Sequence, residues 1–355
     1  MDTAFAEYIA QGPGVRRFSL LDLGCAGGID PRWRVFGARL RALCVDASVA
    51  ECERLSAAET NPGVEYLASF IGPSRDAKID LERGQASPLI FRIRDRLSVM
   101  RTLELRAARL GKAATEDKLR HNAWEKTRLA DPNKPIVPLE LLGARGWTDF
   151  DYLKIDIDGS DFEVLQTFDG KFAALGVLGA QLEVNFVGTG DPAEHSFHNT
   201  DRFMRRQGFE LFRLDVRTYS SRALPARYVW PTPAETVSGR PFQGEAYYAP
   251  DVDTPEIDGE KLAKLAAVFA LWGVPDVAAE LLLARRNALA KLIDVDRGLD
   301  LLAQQAQSDL GTRLGYQAYI RRFETDPPSL YRREGNIGLG ERLAAAWRAY
   351  WRPRS

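Results

Sequence analysis

Between about residues 18 and 216 the chain alternates short apolar, β-rich runs with helical segments, and this rhythm limits the possible folds more than any other feature. Neighbouring parallel strands cannot be joined by a tight turn and need a crossover, usually a helix, so the alternation predicts an α/β domain with a mostly parallel sheet. The strand runs are FSLLDL (18–23), RALCVD (41–46), VEYLASF (64–70), FDYLKID (150–156), AQLEVNF (180–186) and FELFRLDV (209–216). Helices are expected at 31–40, 48–59, 160–168 and 199–207, covering both faces of the sheet.

Two regions break the rhythm. Residues 88–130 read as a helical insertion, and from Arg92 to Arg128 they hold eleven Lys/Arg against five Asp/Glu. The Pro- and Gly-rich stretch 223–250 reads as a long loop ending in GEAYYAP, a candidate closing antiparallel strand. Past residue 259 the pattern is almost purely helical. The expected division is therefore a domain over 1–250 with the insertion at 88–130, and a helical extension over 259–355. The last helix, ERLAAAWRAYWR, sets Leu343, Trp347, Tyr350 and Trp351 on one face and ends in Arg348, Arg352 and Arg354, a pattern that docks on its own protein or on an anionic membrane surface.

Charge excludes some partners. Among 355 residues, 48 basic side chains offset 49 acidic ones to a net charge of -1, so no global field points to nucleic acid. Cys25, Cys44 and Cys52 show no CxxC or Cys/His spacing, which argues against a disulfide scaffold or a zinc site. The first residues lack a signal-like pattern and no stretch reaches membrane-spanning length, so the expected address is the cytoplasm, with contact at the inner face of the membrane left open.

Residues 20–33 read LLDLGCAGGIDPRW: a strand, then Asp22, Gly24, Cys25, Ala26 and Gly28, then Asp30 as N-cap and Pro31 at the first helical position. Glycines there let the backbone approach a ligand, and a helix N-terminus offers N–H groups to a negative charge. A dinucleotide loop would want Gly-x-Gly-x-x-Gly, but Ala26 and Ile29 occupy its second and third glycine positions. The loop instead resembles the acid-x-Gly-x-small-x-Gly turn of class I S-adenosylmethionine-dependent methyltransferases. Asp46, closing the second strand, is placed to accept from ribose hydroxyls, and Ser69 and Phe70, ending the third, are candidate adenine neighbours.

The stretch FDYLKIDIDGSDFEVLQTF (150–168) resembles the hallmark of the FkbM methyltransferase family, Leu-Lys-Ile-Asp-x-Glu-Gly followed by an acid-bearing helix. Leu153, Lys154, Ile155, Asp156, Gly159, Glu163, Val164 and Leu165 fit; Asp158 stands where the family usually has Glu. The resemblance covers about residues 18–216. It implies a Rossmann-like class I sheet, S-adenosylmethionine as donor, and O-methylation, often of sugars in glycans or natural products.

The residues supply chemistry for such a step. Lys154, Asp156 and Asp158 share one strand face at the carboxyl edge, where open α/β sheets bind ligands, and Asp156 borders the cofactor loop. A hydroxyl acceptor needs its proton removed, so Asp158 or His198 is the candidate base and Glu183 a group that orients substrate or cofactor. Asp156, Asp158, Glu183 and His198 are also a candidate Mg or Mn set, being mostly oxygen donors. Ser160-x-x-Glu163 resembles a capping box. Lys154 reads equally as a neutralising partner of Asp156, one pleat along. The acceptor is expected to be a sugar or glycoconjugate, anionic or lipid-linked if the basic insertion receives it. The competing reading is a non-catalytic cofactor-binding scaffold whose helical tail binds partners.

Overall fold

Seven strands form one sheet in the order β3-β2-β1-β4-β5-β7-β6. The computed structural model describes residues 3–79, 88–110, 128–253, 257–308 and 310–330. In chain order the elements are α1 (Ala4–Gln11), β1 (Phe18–Leu23), a 3-10 segment (Pro31–Arg39), β2 (Leu40–Asp46), α2 (Val49–Ala58), β3 (Val64–Ala68), α3 (Pro88–Arg94) and α4 (Ser98–Leu110). There follow α5 (Pro138–Ala144), β4 (Tyr152–Ile155), α6 (Asp161–Gln166), β5 (Gly179–Asn185), α7 (Phe197–Arg206), β6 (Phe209–Tyr219) and β7 (Arg240–Pro250). The tail contributes α8 (Gly259–Trp272), α9 (Pro275–Ala284), α10 (Arg286–Leu289), α11 (Val295–Ala306) and α12 (Tyr316–Thr325).

Strands β1 to β5 pair in parallel, and β7 enters antiparallel between β5 and β6. Because β6 runs antiparallel to β7, its carboxyl end lies at the same edge as those of β1, β4 and β5. Chain order reverses outward from β1 and β4, which opens a crevice at their carboxyl ends. This is the mostly parallel α/β sheet that the alternation predicts, in the Rossmann-like arrangement that the resemblance implies.

Each face of the sheet is covered by apolar packing. Leu21, Leu23, Leu153, Ile155, Leu182 and Val184 face a core completed by α5, α6 and α7. On the opposite face Phe18, Leu20, Cys44, Tyr152 and Tyr247 pack with Trp33, α1 and the tail helices. Helix α8 is buried from Leu262 to Trp272, as an all-round apolar sequence requires. The Trp272 indole donates to the Tyr152 hydroxyl at 2.9 Å, fastening the tail to β4.

A buried ionic cluster fixes the sheet's amino edge. Asp151 accepts from the Ser19 N–H at 2.7 Å and from Lys261 and Lys264 of α8 at 2.7 and 3.2 Å. Lys264 also pairs with Glu260, which holds Arg16.

Two local expectations are corrected. Residues 31–39 form a 3-10 segment kinked at Gly37, not an α-helix; Asp30 still caps it, accepting from Arg32 N–H at 2.9 Å. Ser160 makes no capping hydrogen bond. Asp161 takes the polar work of that corner instead, accepting from Ile157 and Gly159 N–H at 2.8 and 2.9 Å. The expected last helix lies outside the described residues, as does 111–127 of the insertion.

Candidate active site

The site begins with strand register. Asp22 of β1, Lys154 of β4 and Gln181 of β5 are lateral neighbours on one face, and Glu183 stands directly opposite Glu245 of β7. Charges that are dispersed in the sequence thus line up across four strands at the carboxyl edge.

Gly24 ends β1 with φ 90°, and a Cβ there would lie 1.7 Å from the Asp156 carbonyl oxygen. Only glycine lets the β1 loop cross β4 so closely, which places the glycine turn against the acid-bearing turn. Lys154 locks the crossing: its ammonium donates to the Gly24 carbonyl at 2.7 Å and lies 3.5 Å from both Asp22 and Asp156. Burial alone would lower its pKa, but the Asp22 and Asp156 carboxylates outweigh burial and hold it above the ordinary lysine range.

A cleft of about 260 Å³ opens here, lined by Asp22, Gly24, Ala26, Gly28, Asp30, Trp33, Asp46, Lys154, Asp156, Asp158 and Gln181. The expected loop residues Asp22, Gly24, Ala26 and Gly28 therefore meet Asp46, Asp156 and Asp158 in one cavity. Asp46 is held by the Ser48 N–H at 2.8 Å, and burial raises its pKa. Asp22 Oδ1 is buried without a hydrogen-bond partner, and burial, opposed by Lys154, pushes the group up to about 6. An acceptor in the wall of a cleft with only a 3.5 Å ion pair to Lys154 fits a bound molecule that brings a donor.

Cys25, Ser69 and Phe70 are not among the lining residues. Cys25 is turned into the core, and Ser69 spends its hydroxyl on the Phe70 carbonyl at 2.9 Å. Their side chains pack where the sequence reading expected contact with a ligand. Trp33, just past the glycine turn, and Gln181, brought in by the lateral register of β4 and β5, line the cleft instead.

At the cleft mouth, Asp156, Asp158 and Glu183 each present a carboxylate oxygen within 4.8 Å of the others. Asp158 has φ 54°, an uncommon left-handed backbone for a residue other than glycine and a strained one worth a functional explanation. Burial, with Asp156 and Asp161 nearby, pushes its carboxyl up to about 6. Asp158 is exposed at the rim, so solvent screens part of that shift. Glu183 is buried, and its pKa is raised well above the ordinary range, by burial first and then by Asp156, Asp161 and Asp158.

Arg217 of β6 is the main counter-charge, 3.7 Å from Glu183 and 2.7 Å from Glu245. Neither Arg217 nor Glu245 stands in a motif; they arrive because β7 inserts beside β5. Gln181 adds a 3.2 Å hydrogen bond to Glu245, whose pKa burial also raises.

The histidines take different places. His195 is buried and structural: its Nε2–H donates to the Glu183 carbonyl at 2.9 Å, and Nδ1 accepts from Asn185 at 3.4 Å, a tautomer assigned from these partners. His198 is exposed on the first turn of α7, with Nε2 3.4 Å from the Ser196 hydroxyl. It does not belong to the clustered carboxylate set, so the four-residue metal group of the sequence reading reduces to three acids among the described residues.

Residues 108–211 match the family model of the methyltransferase FkbM domain. The matched segment spans β4, α6, β5 and α7, the elements that carry Asp156, Asp158 and Glu183. No curated protein matches the chain. Among solved structures, the crystal structure of the 23S rRNA methyltransferase ErmE is similar at 12% identity, covering 90% of this chain and 96% of that one with a TM-score of 0.28, too low to bear on site or substrate. Within this sheet, residues 108–211 are thus similar to the methyltransferase FkbM domain, and they hold the acid-bearing turn and the strand that carries Glu183.

Proposed function

We propose that the protein transfers a methyl group from S-adenosylmethionine to a hydroxyl of a sugar or glycoconjugate. The observation that carries this reading is that one cleft joins the glycine turn and Asp46 to Asp156 and Asp158. When bound, the cofactor supplies an electrophilic methyl on a sulfonium. Asp46 would hold its ribose hydroxyls, the turn from Gly24 to Gly28 would receive its backbone-facing portion, and Asp22 Oδ1 would accept a donor from it.

In-line transfer requires the acceptor oxygen to be held near the methyl carbon while it loses a proton. Asp158 is the group we assign to that proton. With its pKa at about 6 it is ionised at neutral pH yet more basic than an ordinary aspartate, the compromise that general-base catalysis favours. Glu183, held by Arg217, orients the acceptor. His198, outside the acid cluster, is the weaker candidate for the base.

The clustered acids favour a second version of the same reaction. Asp156, Asp158 and Glu183 could hold Mg or Mn, which would lower the pKa of the acceptor hydroxyl. Lys154 competes for Asp156, so we argue the metal-free base first. Transfer of label from the donor into host glycan extracts tests the function. Activity that survives both Asp158→Asn and Glu183→Gln would reject the assigned roles, and activity abolished by a strong chelator and restored by Mg would replace the base with the ion.

A further inference from the structure

The connection between β6 and β7, residues 220–239, stands at the carboxyl edge of the sheet, the edge on which the cleft also opens. It is pinned rather than loose: Thr236 N–H donates to the Thr218 carbonyl at 2.8 Å, Val229 N–H to Glu235 at 3.0 Å and Val237 N–H to Arg227 at 2.9 Å. Helix α4 braces it. The Ser98 and Ser220 hydroxyls meet at 2.8 Å, those of Thr102 and Tyr228 at 2.6 Å, and Arg222 reaches Glu104 at 2.7 Å. Below, Ile90, Ile93 and Leu97 pack on Val187 and Phe242, so α3, α4 and the connection form one cap.

That cap displays apolar side chains to solvent. Of the eight large hydrophobic residues exposed among the described ones, Leu224 (83%), Val229, Trp230 (59%) and Val237 lie on the connection, and Leu105 lies on α4. The Trp230 indole N–H is satisfied by Glu235 at 3.0 Å, which leaves the ring itself to face outward. A fixed backbone carrying spaced aliphatic groups and a tryptophan suits a water–lipid interface.

Charge selects the lipid. Residues 88–110 contain six arginines against two acids, and 220–240 three against one, in a chain whose net charge is -1. Arg92, Arg94, Arg96 and Arg227 are exposed. We infer that this cap, built from α3, α4 and the β6–β7 connection, seats the protein on an anionic membrane surface. It complements the acidic floor of the cleft: the floor repels an anion at the reacting centre, while the cap attracts one at the rim. The consequence for the substrate, an acceptor sugar presented from the bilayer, rests on the proposed methyl-transfer reading; the surface itself does not.

The test is co-sedimentation of the full chain with vesicles of phosphatidylcholine alone and of phosphatidylcholine mixed with phosphatidylglycerol. Binding at least about tenfold tighter to the anionic vesicles, weakened by salt, is expected from the basic excess. The pair Leu224→Ser and Trp230→Ser should lose about tenfold in partitioning, and the pair Arg94→Gln and Arg96→Gln should reduce the anionic preference, because each exposed basic or apolar group adds to the association. S-adenosylhomocysteine affinity, read by calorimetry, should stay unchanged in both. No partitioning onto anionic vesicles, partitioning unaltered by Leu224→Ser with Trp230→Ser, or capture of the cap by a protein in place of lipid would overturn the inference. A wild-type protein that binds vesicles but not S-adenosylhomocysteine would count against the methyl-transfer reading alone.

Discussion

The two ends of the sheet both bury charge, and they do so on opposite principles. At the amino edge Asp151 is shared by Lys261, Lys264 and the Ser19 N–H, and Glu260 occupies Lys264 and Arg16 in turn. At the carboxyl edge Asp22, Asp156, Asp158, Glu183 and Glu245 share Lys154 and Arg217. Asp22 Oδ1 there has only a 3.5 Å ion pair with Lys154, and Asp22, Asp158, Glu183 and Glu245 all have raised pKa values. A balanced cluster holds the tail to the sheet. An unbalanced one stores a demand for a proton or a cation, which is how perturbed groups concentrate at functional sites.

The comparison predicts opposite failures. Asp158→Asn removes the proposed base and should cut methyl transfer by about 10²–10⁴-fold, with little change in unfolding midpoint, because Asp158 is exposed and strained. A matching fall in stability would place it among structural residues. Asp151→Asn should do the reverse, lowering stability by about 3 kcal/mol, since it removes the buried carboxylate that two lysines share, while the turnover of the remaining folded protein is kept. Denaturant titration beside single-turnover assays separates the two.

A smaller effect is written in pH. Asp22 has its folded pKa at about 6 against an ordinary 3.8, so the native state keeps the proton that the unfolded chain releases. The contribution of Asp22 to stability is therefore fully present below about pH 4, is lost as pH rises to about 6 and stays lost above, a change on the order of 3 kcal/mol for this group alone. Asp22→Asn should flatten that slope. A difference between wild type and variant of the opposite sign, or none at all, would mean that Lys154 neutralises Asp22 more fully than the 3.5 Å separation implies.

The sheet was legible in the sequence because apolar runs report strands directly, and all six predicted runs became strands with boundaries shifted by a few residues. Local motifs were legible for the same reason: Asp22, Gly24, Asp46, Asp156 and Asp158 each sit at a strand end that can be located one strand at a time. What failed needed lateral information. Arg217, Glu245 and Gln181 join the site through the register of β5, β7 and β6, which sequence spacing does not encode. His198 was favoured by closeness along the chain, yet the first turn of α7 exposes it and buries Asn199. The role of α8 was readable but overlooked, since a segment apolar on all sides, AKLAAVFALW, announces burial within the main core.

The central claim is that the unbalanced edge is the cofactor and methyl-transfer site. Calorimetry with S-adenosylhomocysteine on wild type, Asp46→Ala and Asp151→Asn tests it most directly. The account predicts binding to wild type, at least about tenfold weaker binding to Asp46→Ala through loss of a charged hydrogen-bond acceptor, and unchanged binding to folded Asp151→Asn. Wild-type protein that fails to bind, or Asp46→Ala that binds as wild type does, would contradict it.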